Sequence, residues 1–467
     1  MLTYFPRYFS TRAIYCYVIT LALVSVIFMN HALPFQFMLF GFVPVVIFFT
    51  YSAQLTKDWG RYGSKLFSRK IFTTALVIRI VYVVFIYFYY IEMTGLPHAY
   101  YVGDEMYYHG MAEILRLEGY KRFVESLDLY SDFSDRGFII WLAIKYAILG
   151  VNVLPARIVK CFIDAFSCVL MYNLARRNFG EATGRMTAVF CMLMPNMWYY
   201  CGITLKETEM TFLVILFVER ADAALHGSQI TFRNVLLPGL IVLAMFTFRT
   251  ALAAVMIAAF MGALVLSSGK QMQTWKKILY VSVFAVWMFL TVGVEMIQET
   301  QELWAARTEN QSVGYQSRAE HATGNTLAKY ASASVFAPFI FTIPFSSMVA
   351  TATQENQMMM NGANFIKNIM SGFTIFAVLS LLFSGEWRKH VLPLALTSGY
   401  LVVLVFSDFA HSERFHFPVL AMELMFAAYG VSQVTNRHKR WFMFWLMGMC
   451  FANIAWAWIK LAGRGMA

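Results

Sequence analysis

The chain has 467 residues, of which 59% are hydrophobic and 13% are charged. A soluble domain carries about 25% charged residues, so this composition excludes a soluble globular fold. The formal net charge is +11. Lys and Arg cluster in short loops between apolar runs, as the positive-inside rule predicts for a membrane protein. Nucleic-acid binding is therefore not expected. The six cysteines lie in or beside apolar runs without the spacing of a metal site, which indicates packing residues.

Two apolar runs, 13–30 and 34–51, stand near the N-terminus, and no small-residue cleavage site follows the first run. We therefore expect two retained transmembrane helices and a basic cytoplasmic loop, which together form a first unit over residues 1–70. A third span follows and leaves the membrane on the outer side. The segment from about 94 to 136 then forms an external loop that is rich in acids and tyrosines.

An interfacial helix is predicted at the start of this external loop. Tyr107 and Met111 lie one helical turn apart on an amphipathic pattern that is typical of a helix in the plane of the membrane surface, and Gly119 ends it. The pair Asp104-Glu105 precedes these residues. One carboxylate of such a pair can act as a general base, and the other can orient the reactants or help to hold a divalent cation. The alternative is a solvated acidic loop without chemistry.

Basic residues in the later loops fix the remaining topology. We expect them all on the cytoplasmic side, which requires two apolar stretches, 137–149 and 335–350, to enter the membrane from outside and return. This arrangement gives about thirteen transmembrane helices, with the N-terminus inside and the C-terminus outside. If both stretches cross fully, Arg176 and Arg177 face outward instead. The other cytoplasmic markers are Arg185, Arg220, Arg233, Lys270, Lys276, Lys277, Arg388, Lys389, Arg437, Lys439 and Arg440.

Two apolar stretches, 186–218 and 235–266, are too long for one span each. A straight helix of either length would measure about 50 Å, against about 30 Å for the hydrocarbon core of a bilayer. We therefore predict two short spans in each stretch. The turn between them falls at the charged residue, Lys206 or Arg249, on the outer side of the membrane.

Lys206 and Arg249 each need a partner, because a charge within a span costs about 2.5–3.5 kcal/mol on insertion scales. A lipid-linked phosphate at the outer leaflet is one such partner, since Arg offers bidentate contacts to phosphate and Lys offers a compact charge. A structural ion pair is the alternative. It would join Lys206 to Glu207 or Glu209, and Arg249 to an acid that the sequence does not identify.

A polar segment, 407–418, separates two spans near the C-terminus and is expected outside. Arg414 in this segment is a further candidate phosphate contact, with Glu413 and His416 beside it, and an ordinary polar loop is the alternative. The sequence contains no P-loop, dinucleotide fingerprint, metalloprotease helix or Gly-x-Ser-x-Gly elbow, so chemistry on soluble nucleotides has no support.

Together these motifs resemble the bacterial GT-C membrane glycosyltransferases, which include protein O-mannosyltransferases and the lipid A aminoarabinose transferase. The resemblance covers about 71–433 and is carried by the order of short motifs, beginning with the acidic pair in the first large external loop. Two departures stand out: two extra spans precede that loop, where the family usually has one, and Ser134-Asp135-Arg136 stands in place of a Lys-Pro-Pro, so that Arg136 is the expected substitute. The motifs are Asp104-Glu105, Tyr107-Tyr108, Arg136-Gly137-Phe138, 146–152, Arg157, 172–180, Pro195, Lys206-Glu207, Phe248-Arg249 and Arg414-Phe415.

The resemblance implies an all-α polytopic membrane protein with a GT-C-like bundle and interfacial helices in the first external loop. Its catalytic core spans 71–297, an external loop with the re-entrant segment spans 298–363, and C-terminal helices span 364–467. It also implies transfer of a sugar from a polyprenyl-phosphate donor to a glycan, lipid or protein acceptor. The location is the outer face of a bacterial inner membrane, in the assembly of cell-surface polysaccharide or another glycoconjugate.

Within that resemblance, Asp104 is expected to be the base for an inverting transfer, and Glu105 is expected to orient Asp104 or the acceptor. Lys206, Arg249 and Arg414 are expected to bind the lipid phosphate and stabilise the leaving charge. The resemblance assigns no definite cofactor and leaves a divalent cation, Mg²⁺ or Mn²⁺, at Asp104 as an option. The other candidate substrate contacts are Tyr107, Tyr108, His109, Arg136, Glu207 and Glu413.

Two other functions remain open at the level of sequence. A polysaccharide polymerase or ligase of the O-antigen type would use a large late loop, and residues 298–329 here contain Arg307, Arg318 and His321. A lipid-linked sugar flippase or transporter is the second alternative. Transporters often show internal repeats and charges at the membrane midplane, whereas this sequence shows no convincing repeat.

Overall fold

The computed structural model describes residues 2–100, 103–127, 133–226, 232–266, 339–351, 354–405, 411–435 and 438–466. Within these ranges the chain is helical and contains no β-strand, apart from one isolated bridge between Ala32 and Val349. The expected all-α class is therefore confirmed. Six described helices are long and apolar enough to cross a membrane, or up to seven if one bent pair counts as a single span. The total of about thirteen stays a prediction.

The helices follow one another from the N-terminus without intervening sheet. They are α1 (Arg7–Ile27), α2 (Phe35–Asp58), α3 (Ser64–Thr94), α4 (Gly103–Leu127), α5 (Phe133–Leu149), α6 (Val153–Phe179), α7 (Glu181–Leu193), α8 (Pro195–Cys201), α9 (Glu207–His226), α10 (Phe232–Phe246), α11 (Thr250–Leu266), α12 (Glu355–Met359), α13 (Asn361–Ser384), α14 (Val391–Val405), α15 (Glu413–Gln433) and α16 (His438–Ala462). Several predictions fall outside the described residues, namely those on Lys270, Lys276, Lys277, Arg307, Arg318, His321, 335–338, 407–410 and Arg437.

The two predicted N-terminal spans are α1 and α2, and both pack on the rest of the bundle. The Tyr17 hydroxyl of α1 donates to Asn361 Oδ1 of α13 at 2.6 Å. Helices α2 and α13 cross so closely that a Cβ on Gly362 would lie 2.2 Å from the carbonyl oxygen of Gly41. Small residues permit such close helix crossings in membranes. The N-terminal pair is therefore an integral part of the bundle.

The segment predicted to be an external loop contains a helix where one was expected. Helix α4 begins at Gly103 and is kinked at Gly119, whose φ of 85° lies in the left-handed region that favours glycine. Helix α5 follows and meets α6 at a bend of 113°. This bend fits either a broken span or a re-entrant segment, so re-entry of 137–149 stays a prediction. In the second such stretch, residues 340–350 form no spanning helix, as predicted.

Both overlong apolar stretches break where their charged residues stand. Helices α8 and α9 are separated at 202–206, beside Lys206, and α10 and α11 are separated at 247–249, beside Arg249. Both predicted breaks are therefore confirmed, and their position on the outer side of the membrane stays a prediction. The breaks position the two cations at helix boundaries, where backbone groups are free to make other contacts.

The charged residues gather at two ends of the bundle. At one end, Arg177 pairs with Asp222 at 2.5 Å, and Arg185 donates to the carbonyl oxygens of Trp59 and Gly60 at 2.8 and 2.9 Å. Arg157 lies near the other end of α6, twenty residues before Arg177. At 1.5 Å per residue these two residues are about 30 Å apart, which is the thickness of a bilayer core.

Charges are also buried between these two ends, as in the pair of Arg79 and Asp164. Arg79 of α3 pairs with Asp164 of α6, and both side chains are excluded from solvent. The Arg79 guanidinium also donates to the carbonyl oxygens of Cys191 and Met192, both at 3.3 Å. These carbonyls belong to the last turn of α7, where a helix leaves such groups without an internal partner. Arg79 therefore stabilises the end of α7 before Pro195 begins α8.

Candidate active site

The segment 202–206 between α8 and α9 is fixed by two buried cations of α6. The Lys160 ammonium donates to the carbonyl oxygens of Ile203 and Leu205 at 2.6 and 2.7 Å. The Arg157 Nε donates to the Thr204 hydroxyl at 3.1 Å. Because buried backbone carbonyls need donors, these contacts compensate for the missing helical hydrogen bonds of the segment. They therefore position Lys206 at the end of the segment and Glu207 at the start of α9.

Glu105 ties the first turn of α4 to this segment. Its fully buried carboxylate accepts from the Arg157 guanidinium, from the Thr204 N–H at 2.6 Å and from the Ala99 N–H at 3.0 Å. Burial by itself raises the pKa of Glu105, but Arg157, His98 and the Ala99 N–H together hold that pKa well below its ordinary value. The carboxylate is therefore charged and enclosed by its own partners.

Asp104, the preceding residue, points to the surface. Its side chain is 55% exposed, and its Oδ2 accepts from Arg414 Nη1 at 2.5 Å. Arg414 stands in the first turn of α15. The structure therefore separates the two predicted catalytic residues: Asp104 faces the open side of the cluster, whereas Glu105 anchors the helix that carries it.

Glu207 joins two arginines. This fully buried carboxylate, in the first turn of α9, accepts from Arg414 Nε and lies 3.8 Å from Arg249 Nη2. Arg249 Nη1 also donates to the Tyr400 hydroxyl at 3.2 Å, and its guanidinium lies 4.3 Å from the Phe415 ring centre. The acid that pairs with Arg249 is thus Glu207.

Lys206 pairs with an acid that the sequence did not single out. Its ammonium contacts Asp135 of α5 and donates to the Phe248 carbonyl oxygen at 2.7 Å. Tyr108 of α4 donates to the same Asp135 oxygen at 3.0 Å. The predicted ion pair of Lys206 with Glu207 or Glu209 is wrong, because Lys206 precedes α9 and points toward α5.

Glu209 is already paired elsewhere, since it accepts from the buried ammonium of Lys145 at 3.0 Å. Asp135 could have been found from its position: it stands beside Arg136 at the start of an apolar helix, in the place where the resemblance expects a donor contact. Arg136 itself is half-buried in the first turn of α5.

The remaining candidates surround this cluster. The His109 Nδ1 lies 2.7 Å from the Tyr146 hydroxyl of α5. Burial, followed by the neighbouring charge of His98, lowers the pKa of His109 and favours its neutral form. The Tyr107 ring contacts that of Tyr108, with centres 5.8 Å apart. Glu413 begins α15, next to Arg414.

The acids around Asp104 do not fit a site for Mg²⁺ or Mn²⁺. Within the described ranges, no three His, Cys, Asp or Glu side chains gather in a way that could hold a metal ion. Asp104 contacts Arg414 and Asp135 contacts Lys206, so a cationic side chain already balances each carboxylate. Hard divalent cations need several oxygen ligands, which this arrangement lacks. No step below uses a metal ion.

Neither a family model nor a curated protein sequence matches this chain. Its backbone is similar to that of ArnT, an aminoarabinose transferase from Cupriavidus metallidurans, in a crystal structure with undecaprenyl phosphate: the TM-score is 0.49 and the identity 12%, over 80% of this chain and 63% of that chain. It is also similar to the oligosaccharyltransferase AglB from Archaeoglobus fulgidus, in complex with an inhibitory peptide and a dolichol-phosphate, with a TM-score of 0.41 and 10% identity over 85% of this chain and 56% of that chain.

Both neighbours have the GT-C fold, the class that the sequence motifs resemble. The chain spans less than two thirds of the length of either one.

Proposed function

We propose that this protein is a membrane glycosyltransferase that transfers a sugar from a polyprenyl-phosphate donor to a glycan, lipid or protein acceptor. The transfer takes place at the outer face of a bacterial inner membrane, in the assembly of surface polysaccharide or another glycoconjugate. One observation carries this function. A half-exposed carboxylate, Asp104, contacts Arg414, which shares the buried Glu207 with Arg249, and Lys206 stands directly before Glu207 in the chain.

The chemistry follows from these groups. Asp104 accepts the proton of an acceptor hydroxyl, and the hydroxyl oxygen forms a bond to the anomeric carbon of the donor sugar. The bond from that carbon to the phosphate oxygen breaks, and its electron pair leaves with the polyprenyl phosphate. The attack comes from the side opposite the leaving group, so the sugar carbon inverts.

The cations of the cluster suit the leaving phosphate. Arginine matches phosphate oxygens with two parallel donors, and lysine adds a compact charge. Fixed positive charge at the place where negative charge develops stabilises a transition state strongly when water is largely excluded. Arg249 and Arg414 have side chains only 12% and 20% exposed, and Lys206 is 6% exposed. They hold their positions through Glu207 and Asp135, which are positioning residues.

A deletion strain tests this function. Surface glycans and lipid-linked sugars are compared by mass spectrometry, and a product one sugar shorter is expected, which identifies donor and acceptor together. Expression of the wild type restores the product, and expression of Asp104→Asn at an equal level does not. Glu118→Gln is the matched control, because Glu118 lies on the same helix, is similarly exposed and pairs with Arg122 at 3.4 Å.

Two results would overturn this function. Full activity of the Asp104→Asn variant would exclude Asp104 as the base. Loss of polymer with intact repeat units would instead indicate a polymerase, whose expected residues Arg307, Arg318 and His321 lie outside the described part of the chain.

A further inference from the structure

Arg414 holds two carboxylates that differ in their surroundings. Its Nε contacts Glu207, which is fully buried, and its Nη1 contacts Asp104, which is 55% exposed. Removing the partner of a buried charge is strongly unfavourable, whereas an exposed ion pair contributes little. The contact of Arg414 with Glu207 is therefore the costlier one to break, and its contact with Asp104 is the exchangeable one.

The charges of the cluster are balanced before any ligand arrives. Three cations, Lys206, Arg249 and Arg414, contact three carboxylates, namely Asp104, Asp135 and Glu207. A phosphate that takes both terminal nitrogens of Arg414 in a bidentate contact uses Nη1, the nitrogen that Asp104 contacts, so it competes with Asp104 for that donor. Asp104 is the most exposed of the three, so water solvates it most readily once it is released.

We propose that Arg414 exchanges Asp104 for the phosphate of the donor, so that Asp104 is released to act as the base only after the donor has bound. This inference rests on the glycosyltransferase function proposed above. It gives Arg414 two successive partners and gives the reaction an order, with the donor binding before the acceptor is deprotonated.

The geometry explains why the exchange matters. A base must bring an oxygen lone pair to about 2.6–3.2 Å from the hydroxyl that it deprotonates. In the structure Asp104 directs its Oδ2 at Arg414 Nη1, at 2.5 Å. When the phosphate takes over Nη1, this oxygen becomes free.

The exchange predicts that the base competes with the donor for Arg414. An Asp104→Asn variant, which keeps the shape and removes the charge, should therefore bind an isoprenyl monophosphate more tightly than the wild type while being inactive. The free energy of an exposed ion pair corresponds to a change in the dissociation constant of up to about fivefold. Farnesyl phosphate is the probe, titrated calorimetrically into the full-length protein in detergent, and Asp104→Ala serves as a second variant.

Two controls separate exchange from a general loss of negative charge. Glu118→Gln removes a similarly exposed carboxylate from the same helix, and its affinity should equal that of the wild type. In an Arg414→Gln background, Asp104→Asn should have no further effect on affinity, because the group for which both ligands compete is gone.

The outcomes separate the two inferences. An inactive Asp104→Asn variant with unchanged or weaker affinity overturns the exchange and leaves the glycosyltransferase function standing. An active Asp104→Asn variant, or a wild type that does not bind farnesyl phosphate, overturns the proposed function and the exchange with it. Tighter binding by Asp104→Asn in the Arg414→Gln background would also refute the exchange, since Arg414 would then have no part in it.

Discussion

Replacing Glu105 with Gln tests whether Glu105 anchors helix α4 while Asp104 alone takes part in the chemistry. Glu105 and Arg157 are both fully buried, and the carboxylate also accepts from the Thr204 and Ala99 N–H groups. The variant keeps the volume of the side chain and removes its charge, which leaves the Arg157 guanidinium without a counter-charge. Breaking a buried pair on one side typically costs about 3–5 kcal/mol. The amide also keeps only one accepting oxygen for the Thr204 and Ala99 N–H groups, so the attachment of the start of α4, which carries Asp104, is weakened at the same time.

The assay is thermal unfolding of the purified protein in detergent, together with a double-mutant cycle. Glu105→Gln and Arg157→Gln should each destabilise strongly. The double variant should be less destabilised than the sum of the two, because it leaves no isolated charge. Additive effects, or a Glu105→Gln variant as stable as the wild type, would refute the anchoring role. In that case Glu105 would again be a candidate for direct contact with substrate.

The stability of the wild type should also depend on pH through Glu105. Burial raises the pKa of this carboxyl, but Arg157, His98 and the Ala99 N–H bring it well below the ordinary value of 4.5. The unfolded chain therefore binds the proton more tightly than the folded one. The stabilisation by ionised Glu105 is complete above a pH of about 4.5, and it is lost as the pH falls toward the lower pKa of the folded state. The stability difference between wild type and Glu105→Gln should accordingly be constant at neutral pH and shrink in strong acid.

Two further predictions concern the support of the site and the packing of the bundle. Lys160→Met removes the donor for the Ile203 and Leu205 carbonyl oxygens, so kcat for sugar transfer should fall at least about tenfold, which corresponds to roughly 1.4 kcal/mol. Lys160→Arg should recover part of the lost kcat. An equal loss of kcat in both variants would argue against the positioning role of Lys160. Gly362→Ala places a Cβ 2.2 Å from the Gly41 carbonyl oxygen and should destabilise by about 1–3 kcal/mol, whereas Gly448→Ala meets nothing within 4 Å and should leave the melting temperature unchanged or higher; equal melting temperatures of the two variants would contradict the close crossing.

The sequence predicted those parts of the structure that depend on local pattern. Apolar run length and interrupting charges predicted the breaks beside Lys206 and Arg249, and amphipathic spacing predicted the helix of the external loop. These features follow from the cost of burying charge and backbone in lipid, which acts on every segment separately. Gly119 was predicted to end this helix; it interrupts the helical backbone there, because glycine adopts a left-handed conformation at little cost, but the chain continues as helix to Leu127.

The pairing of charges could not be predicted in the same way. Lys206 was matched with acids near it in sequence, yet it contacts Asp135, which lies 71 residues away. Arg414 contacts Asp104 across 310 residues. Such pairs depend on how helices pack, and no local pattern in one sequence specifies that. The burial of Glu105 was missed for the same reason, since its partner Arg157 stands on α6.

The ion pair of Arg79 with Asp164 has a consequence for biogenesis. Arg79 lies on α3, but its counter-charge Asp164 lies on α6 and two of its carbonyl partners lie on α7, which the ribosome makes more than eighty residues later. Until then its protein acceptor is the Ala75 carbonyl oxygen of its own helix, at 3.2 Å. An uncompensated charge within an apolar segment costs about 2.5–3.5 kcal/mol on insertion scales. Until α6 and α7 are made, helix α3 must therefore remain where water or the insertion machinery solvates that charge. Its entry into lipid is coupled to the arrival of α6 and α7, so the order of synthesis limits the order in which this bundle can assemble.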